Sequence, residues 1–187
     1  MHARLNQLAL CLAGAALAAC ATAPPAPPRL GLQLAPAALG AAISVQQHLR
    51  VERGARIDEL DAALEVDASH LELVGLAFGQ RVLTLHYDGR EMRSWRHPML
   101  PAQVSAADVL EDMQLTLWPA PAIAAALPPA WRIEDQGLRR TLYLNGTPVT
   151  VIDYSVMPRW SGTARLENML YHYRLTIQTA PGDATVE

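Results

Sequence analysis

The stretch GLAFGQRVLTLHYDGRE, Gly75 to Glu91, holds an apolar run, Arg81–Tyr87, between the pairs Phe78-Gly79 and Asp88-Gly89. A short run rich in Val, Leu and Tyr bounded by glycine-containing pairs predicts a strand entered and left by tight turns. Asp88-Gly89 followed by Glu91–Arg96 predicts a two-residue hairpin, because type I′ turns need positive φ at both central positions. Val82, Leu83 and Leu85 make this strand more apolar than strict alternation would. Phe78, the only Phe in the chain, stands between Ala77 and Gly79 at the other turn. A buried loop would leave backbone groups without partners, so the expectation is a protruding turn with an exposed aromatic tip.

The same pattern continues on both sides. Upstream, strands are predicted at Ile43–Glu52, Glu59–Val66 and Leu71–Gly75, separated by Arg53-Gly54 and Asp67-Ala68-Ser69. Downstream, SAADVLEDMQLTLWPAPAIAAAL (Ser105–Leu127) changes the period. Ser105 with Asp108 three residues on resembles a capping box. Val109, Met113 and Leu117 are spaced by four and share one helical face, with Glu111 and Asp112 expected to face water. Pro119 stops that helix, and Ala122–Leu127 reads as a second short one. Strands return at Trp131–Glu134, Leu138–Leu144, Thr147–Tyr154, Ala164–Asn168 and Leu170–Thr179.

Asn145-Gly146 is the clearest turn in the chain. It predicts Leu144 opposite Thr147, Leu142 opposite Val149 and Pro148 facing Tyr143 where no third strand pairs, so that this hairpin end is a sheet edge. In the last strand Tyr171, Tyr173, Leu175 and Ile177 alternate with His172, Arg174, Thr176 and Gln178, one face buried and one wet. Strands, a helical insert, then strands is an α+β order: a curled antiparallel sheet, a half-open barrel, with the insert covering its concave face. A long sheet curls, and helices across its mouth enclose an apolar space.

The N-terminus reads separately. Arg4 precedes an apolar run ending LAGAALAAC (Leu12–Cys20), too short to span a bilayer and shaped like a secretory signal peptide. Leu17-Ala18-Ala19-Cys20 resembles a bacterial lipobox, so residues 1–19 are expected to leave as a leader and Cys20 to carry the lipid. Cys11 leaves with the leader, so the mature chain holds no cysteine pair for a disulfide. ATAPPAPPRLGLQLAP (Ala21–Pro36) has five prolines and little charge. Proline-rich segments stay extended, and residues 20–40 are expected to be a tether ahead of a single domain at 41–187. Ala21 after the cysteine, where Asp signals retention at the inner membrane, points to the outer membrane.

The chain has 187 residues, a formal charge of −3 and no lysine, with no basic cluster of the kind nucleic acid requires. His48, His70, His86, His97 and His172 show no metal-ligand spacing, and no G-x-S-x-G, P-loop or dinucleotide fingerprint occurs. The expectation is a protein with no catalytic residues, no metal and no cofactor. Arg50, Arg139 and Arg140 read as edge charges.

These features resemble LolB, the outer-membrane lipoproteins that receive lipoproteins from the periplasmic carrier LolA. The resemblance rests on the lipobox, the tether, the element order, Gly75–Glu91 and the closing ARLENMLYHYRLTIQ (Ala164–Gln178). In LolB a protruding loop carries a large apolar residue before a Gly and a long strand, and Phe78 falls at that position. The wording VLTL…DG and DMQLTLWP is similar to a group of proteobacterial lipoproteins encoded near genes for aryl polyene lipids. The resemblance implies a periplasm-facing, outer-membrane lipoprotein that binds acyl chains. Its implied partners are membrane lipid and a LolA-like carrier or an acyl or polyene lipid cargo. Expected sites are Cys20 for lipidation, Phe78 and Leu76 for membrane contact, and Leu83, Leu85, Met113, Leu117, Trp118, Leu142 and Val149 for the lipid cavity. Trp118 is favoured among the tryptophans because it ends the covering helix. The competing reading is a non-catalytic adaptor with a filled core that binds a biosynthetic or export partner.

Overall fold

The computed structural model describes residues 29–101 and 104–180. Their strands are β1 (Ile43–Arg53), β2 (Arg56–Val66), β3 (Leu71–Ala77), β4 (Gln80–Tyr87), β5 (Met92–Arg96), β6 (Trp131–Gln136), β7 (Arg139–Leu144), β8 (Thr147–Tyr154), β9 (Thr163–Asn168) and β10 (Tyr173–Thr179). Helices α1 (Ala106–Leu117) and α2 (Ala120–Ala126) lie between β5 and β6. All ten strands form one antiparallel sheet, ordered β5-β4-β3-β2-β1-β10-β9-β8-β7-β6. Two meanders are thus joined through the β1–β10 pairing, and the edges β5 and β6 do not meet. The sheet curls without closing, a half-open barrel with the helical insert in its concavity, in line with the expected α+β architecture.

The turns at Gly54, Phe78-Gly79, Asn145-Gly146 and 169–172 all fall at one end of this sheet, the end from which the helical insert also leaves and returns. Two hairpins differ in detail from expectation. At the β4–β5 turn the apex is Gly89-Arg90: Asp88 N donates to Glu91 O, and the Asp88 carboxylate accepts from the N–H groups of Arg90 and Glu91. Asp88 is therefore the acceptor of an Asx turn, a role its short side chain fills better than a positive φ. After Asn145-Gly146, Leu144 pairs with Thr147 and Tyr143 with Pro148 as expected, but Leu142 pairs with Thr150 across a bulge. A bulge opposes two residues to one and displaces Val149 from the predicted register. Pro148 has no third-strand partner because β9 joins β8 only from Thr150 onward, although β8 itself lies inside the sheet.

Helix α1 starts as the sequence predicts, with the Ser105 hydroxyl accepting from Asp108 N at 3.0 Å. Its remainder does not have a wet face. Glu111, Gln114, Leu115, Thr116 and Leu117 are all buried, because the segment before β1 packs on the side of the helix away from the sheet. Leu32, Leu34 and Leu39 are buried there. Gln114 donates to Leu34 O and accepts from Leu34 N, both at 2.9 Å, as a neighbouring strand would. Residues 29–40 thus form a strap belonging to the folded body rather than to a tether. Residues 1–28, which hold the expected leader, Cys20 and the start of the expected tether, lie outside the described residues. No helix among those described is long and apolar enough to cross a membrane.

Arg140 also departs from its reading as an edge charge: it is 1% exposed. Its Nη1 donates to Leu115 O at 2.5 Å, and its Nε and Nη2 grip Asp135 at 2.7 and 3.0 Å. Tyr154 Oη donates to Thr116 O at 2.6 Å. The last turn of α1 contains no basic residue of its own, so β7 and β8 supply the donors and the positive charge its carbonyls need. Arg50 is half-buried and Arg139 exposed, and they pair with Glu52, Glu59 and Asp153.

Candidate functional site

Successive side chains of a strand point to opposite faces, which sets Gln47, Leu49, Val51 and Arg53 of β1 in one inward row. Register places Ile177 and Leu175 of β10 beside Leu49 and Val51. On the other side β2 sets Leu60, Asp58 and Arg56 opposite Leu49, Val51 and Arg53. Above this floor Val109, Met113 and Leu117 present the face of α1 that their spacing predicts. The space between is a cavity of about 340 Å³, with Leu73, Val82 and Leu83 in its far wall. Its body is aliphatic, and its volume lies at the lower end of the ~300–1,000 Å³ typical of small-molecule sites.

Ile57, Phe78 and Met99 stand at the open end, exposed by 51%, 94% and 50%. Ala77 pairs with Gln80, and φ is +52° at Phe78 and +73° at Gly79, a type I′ turn. Asn145-Gly146 adopts the same geometry with the residues that favour it. A bulky side chain held at positive φ costs on the order of 1–3 kcal/mol, and such outliers cluster at functional positions. Phe78 is strained, and none of the described residues covers it.

The opposite character appears where the strap begins. Arg29 lies beside Asp108 (Nε–Oδ1 3.2 Å), Asp112 (Nη1–Oδ1 3.2 Å) and Glu111 (Nη1–Oε1 3.7 Å). Tyr173 Oη donates to Asp112 Oδ2 at 2.6 Å, and Gly31 N donates to Glu111 Oε2 at 2.6 Å. Of the acids expected to face water, Glu111 is buried and Asp112 is largely covered, and they are bound to the strap and to β10. Burial pushes the Asp112 carboxyl up to about 6, against the pull of Arg29 and the Tyr173 hydroxyl. Burial likewise raises Glu111, opposed by Gly31 N and Arg29. A carboxyl whose folded pKa exceeds its unfolded value binds more protons when folded, so its contribution falls as pH rises through that interval. Wild type should therefore lose stability relative to Asp112→Asn between pH 3.8 and about 6. Paired melts across that range check this, and parallel pH profiles would contradict it.

Of the residues expected to line a lipid cavity, Leu83, Met113 and Leu117 line the cavity of about 340 Å³. Leu85, Trp118, Leu142 and Val149 are buried but do not line it. Trp118 is fully buried, with Nε1 donating to Ala35 O at 3.1 Å, so the strap occupies the side of the helix it faces. Leu142 and Val149 sit on β7 and β8, and strands β6–β9 contribute no lining because the helices pack directly against them. Leu76 is 39% exposed on β3, away from the lining. Cys20 lies outside the described residues. The residues missed are the inward row of β1, the Tyr173 row of β10 and Arg29. The alternation Leu30-x-Leu32-x-Leu34 was the signal for the strap: period-two burial inside a segment otherwise read as proline-rich spacer.

A half-barrel with one helix-covered apolar cavity among its described residues is the class that fold and site define. Residues 44–181 match the family described as "Protein of unknown function (DUF3261)", and the chain belongs to that family. No curated protein matches it. Among solved structures it is similar to a LolA superfamily protein from Nitrosomonas europaea, at 12% identity and a TM-score of 0.38 over 75% of this chain and 84% of the other.

Proposed function

We propose that this protein is a non-catalytic acceptor, anchored by lipidated Cys20 in the outer membrane and facing the periplasm. It holds an acyl chain of a lipid or lipoprotein in the cavity and passes it to the bilayer. The observation that carries this reading is the aliphatic cavity of about 340 Å³ opening beside a strained, fully projecting Phe78. An adaptor with a filled core would need neither. The cargo in this reading is an acyl chain presented by a LolA-like carrier or carried by a polyene lipid.

Polarity supports the arrangement. Arg29, at the upstream end of the strap, lines the same cavity as Phe78. Cys20 precedes Arg29 by nine residues, which in extended proline-rich form reach at most about 30 Å. An anchor at Cys20 would hold the open end near the membrane. Protein extracted from membranes should carry co-purifying amphiphile detectable by mass spectrometry, and Leu83→Trp, which fills the cavity, should lose it. Equal lipid content in both proteins, or none in either, would contradict the proposal. Cys20→Ser should abolish labelling by a palmitate analogue and release the protein from the membrane fraction; an unlabelled wild type would remove the anchor.

A further inference from the structure

The inward row of β1 is apolar at Leu49 and Val51 and then ends in a cation, Arg53. Alternation alone directs this side chain into the concavity, where it lines the cavity. Its guanidinium lies over the Tyr173 ring, 5.0 Å from the centroid. Its Nε is buried without a hydrogen-bond partner, and no ion pair to Arg53 forms among the described residues. The neighbouring charges are committed elsewhere. Arg56, opposite Arg53 in the ladder, holds Asp58 with both Nε and Nη2 at 2.7 and 2.9 Å. Asp108, Glu111 and Asp112 are held by Arg29, Gly31 N and Tyr173.

A buried donor on a charged group without an acceptor is costly, and its presence at a cavity wall calls for a ligand that supplies one. The guanidinium fork matches a carboxylate or phosphate in two parallel bonds. We infer that Arg53 recognises an anionic head group, so that the cavity takes single-chain amphiphiles with their tail against Leu49, Leu83 and Met113 and a carboxylate or phosphate at Arg53. This rests on the acyl-binding reading above and names the chemical class of its ligand. The Tyr173 ring holds the guanidinium by cation–π attraction, which fixes the fork without consuming its donors.

The test uses the mature chain carrying Cys20→Ser, which leaves every residue of the folded body unchanged, and titration calorimetry with dodecanoate, methyl dodecanoate and dodecyl phosphate. Dodecanoate or dodecyl phosphate should bind tighter than the methyl ester by roughly tenfold or more, the scale of a charge-assisted hydrogen bond. Arg53→Gln should bring acid and phosphate affinity down to that of the ester, and Arg93→Gln, on the exposed β5 edge, should keep the preference. Which anion binds tighter assigns the head group to a carboxylic acid or a phosphate ester. Equal affinity for acid, phosphate and ester in the parent protein overturns the inference without recourse to any variant. A preference that survives Arg53→Gln overturns it too. Failure of every ligand to bind overturns the acyl-binding reading itself.

Discussion

Phe78→Glu should leave the melting temperature unchanged and slow delivery of an acyl cargo to vesicles roughly tenfold or more, the scale of withdrawing one buried Phe from an apolar phase. The side chain is 94% exposed, so no core contact is lost. Its backbone sits at φ +52°, where Asn or Gly is at ease and a bulky residue is not. Phe78→Asn, which recreates the Asn-Gly turn present at Asn145-Gly146, should therefore raise stability by about 1 kcal/mol. Its delivery should fall as that of Phe78→Glu does. Stability gained together with transfer lost would mark a residue kept for contact rather than for folding. Thermal melts beside transfer of a pyrene-labelled fatty acid to phosphatidylethanolamine–phosphatidylglycerol vesicles measure both. A large fall in melting temperature, or unimpaired transfer by both variants, would remove Phe78 from the mechanism.

Arg140→Ala should cost about 3 kcal/mol, the lower end of the range for deleting one member of a buried ion pair, because Arg140 is buried while Asp135 keeps some contact with solvent. Three of its donor bonds vanish together: two to Asp135 and one to Leu115 O. The loss leaves the buried Leu115 carbonyl at the end of α1 short of a donor. Arg140→Lys should not restore the parent, since an ammonium cannot span a carboxylate and a carbonyl in the planar fork. Urea melts give the difference directly. A cost under about 1 kcal/mol would mean that water or Arg159, which also contacts Asp135 at 2.5 Å, takes over the vacated positions.

Local chemistry made much of this protein legible. The Asn145-Gly146 hairpin, the capping Ser105 and the face shared by Val109, Met113 and Leu117 depend on nearest-neighbour stereochemistry and period, which a sequence displays. The two shifted turns show the limit of that reasoning: Asp88 can serve a turn by its φ or by its carboxylate, and the sequence does not say which. At Leu142 a bulge moved the register by one residue, and the turn residues carry no signal of it.

The sequence by itself determined the strand and helix order, the half-open sheet that follows from it, and the exposed tip at Phe78. Only the tertiary structure decided which apolar residues line a cavity and which fill the core, because alternation reports the face of a strand and not the depth beneath a helix. Leu83 and Leu85 share a face of β4, yet only Leu83 reaches the open space. The charged residues were decided the same way. Glu111, Asp112 and Arg140 read as solvated in one dimension and are buried or largely covered in three, since Arg29 and Tyr173, distant in the chain, and Asp135 on the neighbouring strand supply the partners that make this tolerable.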